Sequence, residues 1–159
     1  MNELNVFNFN QIALEAREES DLKESLLPFP SGSVPSQEIR RIWSDRFTSA
    51  GWVANFQIPN SRQSISYWKK GVGVCVQLGN TCRASTDLLK LETLYRLKKI
   101  GLGILVVPSN SYSRFLGSNY ASFATACRDL TTFAPAVSVP LSVVEFDPPK
   151  PGEENGRPH

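Results

Sequence analysis

The amino-acid sequence predicts an α/β fold with a mixed sheet, built around a βαβ crossover core and flanked by helices. Residues 71–79 (GVGVCVQLG) alternate with the period of a β-strand. Residues 84–100 carry leucines at helical spacing, and residues 103–108 (GILVVP) form a short apolar run typical of a buried strand. Two such strands joined by one helix should be parallel, with a right-handed crossover between them.

The segment before this unit is predicted to contain two helices. Apolar residues recur at helical spacing among acidic ones over residues 3–27, whereas the prolines of residues 28–35 predict a turn or linker. Ser36 is predicted to cap a second helix, which ends near Gly51. We therefore expect an N-terminal helix and proline-rich linker over residues 1–35, followed by a core over residues 36–146.

Weaker patterns lie on either side of the βαβ unit. One or two short strands are expected between Phe56 and Ser66, and a helix is expected over residues 119–130. Residues 134–146 predict an edge strand interrupted by a proline, because proline cannot donate to a β-ladder. The tail over residues 147–159 is rich in proline, glycine and charge, which predicts disorder.

Composition sets the broad class of the protein. A chain of 159 residues with 41% hydrophobic side chains matches one ordinary domain. The three cysteines lack zinc-site spacing and the single histidine is His159, so we expect free thiols, a reducing compartment and a cytoplasmic location. Neither a signal sequence nor an apolar run of the roughly 18 residues that span a bilayer is recognisable, so a membrane partner is not expected.

Charge is unevenly distributed along the chain. Between Gln37 and Arg114 there are twelve basic and four acidic side chains, a local net charge of +8, although the whole chain carries only +2. A basic middle segment suits a polyanionic partner such as nucleic acid. The alternative is a solvated helix face that is rich in lysine and arginine.

Several catalytic chemistries are not supported by the sequence. Residues 78–82 contain neither a dinucleotide-binding glycine motif nor a P-loop. A cysteine nucleophile would need a base, and the chain has no internal histidine to supply one. Paired carboxylates for hydrolysis are also missing from the central strand.

Four motifs follow one another in an unusual order. They are Ile65-Ser66, then VCVQLGN at residues 74–80, then DLLK at residues 87–90, then GILVVP at residues 103–108. In this order they resemble the core of the BglII/BstYI-type restriction endonucleases, members of the PD-(D/E)XK superfamily. The resemblance extends over roughly residues 37–125 and implies a restriction-endonuclease-like fold.

The resemblance also implies a magnesium site and indicates how it has changed. Such nucleases hold Mg²⁺ with an Asp on the hairpin strand and a Glu on the next strand, and a Gln two residues later takes the place of the usual Lys. The corresponding residues here are Ser66, Cys75 and Gln77. A hydroxyl and a thiol do not replace two carboxylates as ligands of a hard cation. These are degenerate catalytic positions, and we predict neither a metal ion nor another cofactor.

Two alternatives to this interpretation remain open. In this superfamily an acidic residue can migrate to the following helix, so Asp87 or Glu92 could supply one of the two missing carboxylates, but not both. The other alternative is that Ser66 and Cys75 are engineered replacements, although serine and cysteine would be an unusual choice.

Four residues are candidates for contact with DNA. Trp68, Lys69 and Lys70 should lie at a hairpin tip, where an aromatic ring beside two cations could follow a phosphate backbone. Arg83 begins the long helix, and both a guanidinium group and a helix N-terminus favour phosphate. Trp43 and Trp52, in contrast, are expected to be core residues rather than base-stacking groups.

The sequence thus favours a pseudo-nuclease, with enzymatic activity left open but not expected. Such a protein would bind double-stranded DNA, or act as a non-cutting subunit of a nucleic-acid-processing complex of defence or restriction type. The first rival is an active magnesium-dependent, type II-like endonuclease. The second is a protein-interaction module with a vestigial cleft. The resemblance suggests a homodimer, but the sequence decides neither oligomeric state nor DNA sequence preference.

Overall fold

The computed structural model describes residues 4–10, 15–29 and 35–148. Within these residues the chain forms one mixed sheet whose six strands are, in chain order, β1 (Asn5–Phe9), β2 (Val53–Gln57), β3 (Ser64–Lys69), β4 (Val72–Val76), β5 (Leu102–Pro108) and β6 (Leu141–Phe146). Their order across the sheet is β1-β6-β5-β4-β3-β2. The helices are α1 (Ala16–Leu26), α2 (Ser36–Ser49), α3 (Thr81–Arg96), α4 (Asn110–Leu116) and α5 (Phe123–Phe133), and a short 3₁₀ turn covers Ala134–Ala136.

The predicted βαβ crossover is confirmed. Strands β4 and β5 pair in parallel from Val72↔Leu102 to Val76↔Val106, and α3 connects them. Every residue of β5 is buried, as the apolar run predicts. Helix α3 begins three residues earlier than its leucine stripe indicates, because the Asn80 side chain accepts a hydrogen bond from the Cys82 N–H (3.1 Å) and caps the helix.

A tight hairpin joins β3 to β4. Lys69 pairs with Val72, so only Lys70 and Gly71 form the loop. Both loop residues have positive φ angles, +48° and +83°, which is the geometry that lets a two-residue turn follow the twist of its strands. The opposite end of this hairpin, where β4 leads into α3, carries Ser66 and the VCVQLGN motif at residues 74–80.

Helices cover both faces of the sheet. On one face α1, α2 and α4 bury an aromatic cluster in which the Phe47 ring stacks on Tyr67 (4.0 Å between centroids) and the Trp43 edge meets Phe146 (5.0 Å). On the other face α3 and α5 contribute Leu88, Leu91, Leu94 and Leu130 to a second buried cluster. The period of two in β4 divides its side chains between the faces, so Val74 belongs to the first cluster and Cys75 to the second.

The start of the chain differs from the predicted helix over residues 3–27. Residues 5–9 are a strand, and among the described residues of this segment the helix extends over Ala16–Leu26. Asparagine side chains, which count against a helix, hold this strand to β6: the Asn5 Nδ2 donates to Glu145 Oε2 (2.7 Å) and the Asn8 Oδ1 accepts from Ser142 Oγ (2.7 Å). The helix prediction is wrong for residues 5–9 because they pair with β6, which is distant in the sequence, and local spacing does not reveal such a partner.

The end of the chain also differs from the prediction. Strand β6 is internal, between β1 and β5, and is therefore not an edge strand. Pro140 lies just before it rather than within it, and its carbonyl accepts the N–H of Gly103 (2.9 Å). The helix expected over residues 119–130 starts at Phe123, and a further helix, α4, precedes it.

Parts of three predicted segments lie outside the described residues. These are residues 3 and 11–14 of the N-terminal helix, residues 30–34 of the linker and residues 149–159 of the tail. At the start of the predicted tail, Asp147 Oδ1 accepts a hydrogen bond from Ser109 Oγ (2.6 Å). Ser36 is the first residue of α2 rather than its cap, because Pro35 occupies the cap position. In the described ranges there is no helix with the length and apolar character needed to cross a membrane.

Candidate functional site

The carboxyl end of β4 opens into a cleft of about 450 Å³. The cleft is bounded by α2, the first half of α3 and the start of β3, and its lining residues are Arg40, Gln63, Ser64, Ser66, Val76, Gln77, Arg83, Thr86, Asp87 and Lys90. A second cavity of about 210 Å³ shares Arg40, Ser66 and Val76 with the cleft. Ser66 and Gln77, two of the three degenerate positions, therefore lie in the same cleft.

Ser66 lies where β3 and β4 separate. The regular pairing of the two strands ends at Tyr67↔Val74, and beyond it the Ser66 Oγ accepts a hydrogen bond from the Val76 N–H (2.9 Å). The hydroxyl thus satisfies a strand amide that has lost its ladder partner. One acceptor site of Ser66 is therefore occupied by the protein itself.

Cys75 lies beneath the cleft rather than on its wall. Its side chain is buried against α3, with Sγ 4.0 Å from the carbonyl oxygen of Asp87. Burial raises the pKa of the Cys75 thiol well above its usual value, and the neighbouring Asp87 carboxylate raises it further. The thiol is consequently neutral at physiological pH and is a weak ligand for a hard metal ion.

Gln77 and Asp87 are hydrogen-bonded to each other at the centre of the cleft. The Gln77 Nε2 donates to Asp87 Oδ2 (2.7 Å), and Lys90 Nζ lies 3.0 Å from Asp87 Oδ1. Burial raises the pKa of Asp87 above its usual value, although Lys90 and Gln77 oppose the shift. Both carboxylate oxygens are therefore already engaged by donors from this chain.

Gly79 gives the Gln77 side chain its room. A Cβ at this position would lie 3.0 Å from Gln77 Oε1 and 3.6 Å from Arg83 Cδ. From the sequence, Gly79 is predicted only to end a β-strand. In the structure, the missing side chain at Gly79 leaves room for both the Gln77 amide and the Arg83 side chain.

Glu92 does not line the cleft. Its Oε2 accepts hydrogen bonds from the backbone N–H groups of Ser138 and Val139, both at 2.8 Å, and its Oε1 accepts one from Arg96 (2.6 Å). Burial by itself raises the pKa of Glu92, but these donors outweigh it, so the pKa lies below its usual value. Of the two acidic residues considered on α3, the structure brings only Asp87 to the cleft.

The four predicted DNA-contact residues fall in two places. Arg83 is exposed and lines the cleft. The hairpin tip, residues 68–71, lies at the opposite end of β3 and β4, where the Trp68 Nε1 donates to the Lys99 carbonyl (3.0 Å) and the Trp68 ring stacks on Phe56 (5.0 Å). Trp68 is thus partly buried and packed against the second core cluster.

The two lysines of the hairpin tip differ in their surroundings. Lys69 Nζ donates to the Ala50 carbonyl (2.8 Å), lies 2.9 Å from Asp21 Oδ2 and sits 5.7 Å from the centroid of the Trp52 ring. Its charge is therefore used within the protein. Lys70 is exposed in the turn.

Sequence reasoning missed two cationic residues of the cleft, Arg40 and Lys90. A signal for Lys90 was available, because Arg83, Asp87 and Lys90 are spaced by four and three residues and so share one face of α3. Arg40 follows the buried Ile39 on α2, at the border of the inward stripe. No sequence pattern indicated that this arginine and α3 face the same cleft.

The magnesium ion that the resemblance implies does not fit this set of donors. Mg²⁺ requires an octahedral set of oxygen ligands, usually anchored by carboxylates. Among the residues that line the cleft, Asp87 is the one acidic side chain, and it is paired with Lys90 and Gln77. Throughout residues 4–10, 15–29 and 35–148, no cluster of three or more His, Cys, Asp or Glu side chains could hold a metal ion.

Comparison with known proteins places the chain among restriction endonucleases. The family profile described as "Restriction endonuclease BglII/BglIII" matches residues 7–145. A separate comparison of the chain with curated protein sequences finds no match.

Two solved structures share the fold. The restriction endonuclease BglII complexed with a DNA 16-mer has a TM-score of 0.79 at 16% identity, covering 92% of this chain and 77% of that chain. Free BglII has a TM-score of 0.70 at 18% identity, covering 91% of this chain and 79% of that one. At such low identity these superpositions establish the fold, whereas the profile match extends over most of the sequence. The chain belongs to the BglII/BglIII restriction endonuclease family.

Proposed function

We propose that this protein is a catalytically degenerate member of its family, which binds duplex DNA in the cleft without cutting it. The observation that carries the proposal is the charge of the cleft. Three cations, Arg40, Arg83 and Lys90, line the cleft together with one carboxylate, Asp87, whose oxygens are both engaged. Such a cleft attracts an anion and repels a cation.

Binding and cleavage make different demands on this fold. A DNA backbone is held by positive charge and hydrogen-bond donors, which the cleft supplies. Metal-dependent cleavage also needs a cation that activates water and neutralises charge on the phosphorus centre. With Ser66 and Cys75 at the two carboxylate positions, the ligands for that cation are lacking.

Binding is tested with a labelled duplex by fluorescence anisotropy at 50 and 200 mM salt. Each phosphate that the protein neutralises adds about 0.9 to the slope of log Kd against log salt, so affinity should fall at least about threefold between the two salts. Several unrelated duplexes should bind with similar affinity, because phosphate contacts carry no sequence information. Absence of binding at 50 mM would favour the interaction-module alternative.

Cleavage is tested with supercoiled plasmid in the presence of Mg²⁺ or Mn²⁺. We expect neither nicking nor linearisation, with BglII as the positive control. The specific rival is an active enzyme that uses Asp87, since this carboxylate lies in the cleft. Metal-dependent cleavage that is lost in Asp87→Ala and retained in Glu92→Ala would establish that rival and overturn the proposal.

We extend the proposal to the partners and the location of the protein. A protein that binds DNA without cutting could serve as a subunit of a restriction or defence complex, and as a homodimer it would hold the duplex from two sides. The three cysteines are free thiols, which supports a cytoplasmic location. Light scattering in solution tests the dimer, and co-purification with DNA-processing partners tests the complex.

A further inference from the structure

We propose that the cleft holds a backbone phosphodiester of DNA directly between Arg40, Arg83 and Lys90, with no metal ion in between. This inference rests on the proposed function and assigns the group that carries the binding. It also assigns a new role to Asp87, which becomes the fixed counter-charge that holds one of the cations in place.

The three cations converge from two helices on the same space. Arg40 comes from α2, whereas Arg83 and Lys90 come from one face of α3. The cleft volume of about 450 Å³ falls within the range of ligand pockets. Guanidinium groups suit a phosphodiester because their donors form a planar fork that matches two phosphate oxygens.

Lys90 is held ready for an anion before any anion binds. Its side chain is only 20% exposed, and its ammonium group is fixed 3.0 Å from Asp87 Oδ1. Asp87 is in turn fixed by Gln77, which is 4% exposed and donates its amide N–H at 2.7 Å. The cation therefore has little rotamer freedom left to lose when an anion arrives.

Neutral donors complete the set. Ser66 Oγ accepts from the Val76 N–H and so keeps its own O–H to donate, and Ser64 and Gln63 line the same wall. In a magnesium-dependent site these positions would have to supply electron pairs to a cation. Each of these three side chains can also donate a hydrogen bond, which suits phosphate oxygens.

The two kinds of site predict opposite effects for Asp87. In a metal site the carboxylate attracts the cation, so its neutralisation weakens the bound state. In an anion site the same carboxylate repels phosphate and offsets the charge of Lys90, and we expect these two effects to outweigh the loss of its hold on Lys90, so its neutralisation strengthens binding. Burial disfavours the charge on Asp87, so Asp87→Asn should be well tolerated by the fold.

The first test measures duplex affinity in EDTA at 50 mM salt for Arg40→Gln, Arg83→Gln and the double variant. We expect a roughly tenfold loss of affinity for each single variant, and a salt slope lower by about 0.9 in the double variant, because the cations share one phosphate. Lys98→Gln is the matched control, since this exposed lysine follows the far end of α3 and does not line the cleft. It should change affinity less than twofold.

The second test compares Asp87→Asn with Asp129→Asn, which makes the same change in net charge on α5. Asp87→Asn should bind DNA at least threefold more tightly in EDTA, and Asp129→Asn should not. Circular dichroism and thermal melting establish that both variants are folded. Weaker binding by a folded Asp87→Asn, or a dependence of wild-type binding on Mg²⁺, would overturn the metal-free site.

Failure of this inference differs from failure of the proposed function. If the wild type binds duplex DNA but both arginine variants bind as well as Lys98→Gln, DNA binding stands and the phosphate site is refuted. If the wild type binds no duplex, inorganic phosphate is the remaining probe. A rise in Tm with phosphate that is lost in the double arginine variant would then support the anion site while the DNA function falls.

Discussion

The cleft and the hairpin tip carry similar cations in the sequence, yet the fold uses them differently. Lys69 at the hairpin tip is paired with Asp21 of α1 and bonded to the Ala50 carbonyl. Arg40 and Arg83 in the cleft are exposed and face an open cavity. The two arginines therefore have more charge to offer a ligand than Lys69, and also more than Lys90, whose ammonium group is paired with Asp87. The number of basic residues in a segment therefore does not locate a binding surface.

Two carboxylates on one helix also differ in use according to their surroundings. Asp87 and Glu92 are both buried acidic residues on α3, five positions apart. Asp87 faces the cleft and its pKa is raised, whereas Glu92 faces the loop before β6 and its pKa is lowered. The same side-chain chemistry serves a candidate site in one case and loop attachment in the other.

The largest effect is expected from the double change S66D/C75E, which introduces a carboxylate at each of the two positions where the family resemblance expects a metal ligand. Cys75 is buried, so a glutamate there places an unpaired charge in the interior, and we expect a loss of about 3–5 kcal/mol of stability in EDTA. If the scaffold retains metal geometry, Mg²⁺ at about 100 times its Kd should return about 2.7 kcal/mol.

Chemical denaturation with and without Mg²⁺ measures this effect. The matched control is S66N/C75Q, which keeps the size of the side chains but not their charge and should show no response to Mg²⁺. A double variant that is destabilised and gains nothing from Mg²⁺ would mean that the scaffold no longer supports the geometry of a metal site.

Lys69→Met should affect stability rather than DNA binding. The change leaves Asp21 and the Ala50 carbonyl without their partner, at sites where the lysine side chain is 17% exposed and the aspartate 29%. We expect a loss of about 2–3 kcal/mol in urea denaturation. Duplex affinity at 200 mM salt should change less than twofold. A large loss of affinity with unchanged stability would place Lys69 in the DNA interface instead.

Glu92→Gln should also act on stability, and its effect should depend on pH. The neutral amide cannot reproduce the charge-assisted bonds to Ser138, Val139 and Arg96, so we expect a loss of about 1–2 kcal/mol at pH 7. The folded pKa of Glu92 lies below its ordinary value of 4.5. The carboxylate's contribution is therefore complete above about pH 4.5 and is lost as pH falls through the folded pKa.

Denaturation of both proteins over the acidic range tests this prediction. The difference between wild type and Glu92→Gln should shrink below pH 4.5, and affinity for DNA should be unchanged. A difference that grows with acidification would contradict the assignment of Glu92 as a charged acceptor in the folded state.

Lys70→Gln should have the smallest effect. This lysine is exposed in the hairpin turn and lies outside the cleft. We expect less than a twofold change in duplex affinity, within the range of a single distant surface charge. A tenfold loss together with a lower salt slope would show that DNA reaches the hairpin tip and would restore the residues 68–70 as a phosphate contact.

Sequence predicted the middle of the fold better than its edges. The strand at residues 72–76, the helix at 81–96 and the buried strand at 102–108 follow from local periodicity, because each has one or two faces buried along its whole length. The N-terminal strand and the internal position of β6 did not follow. Their pairing joins Asn5 to Glu145, and no local pattern encodes a partner so distant in the chain.

Sequence alone identifies Ser66, Cys75 and Gln77 as the residues at the positions where the family resemblance expects metal chemistry. Tertiary structure alone decided that Cys75 lies beneath the cleft, that Arg40 and Lys90 join it, and that Lys69 and Glu92 are used elsewhere. The physical reason is that side-chain identity is a local property, whereas burial, pairing and charge balance depend on neighbours that only folding brings together.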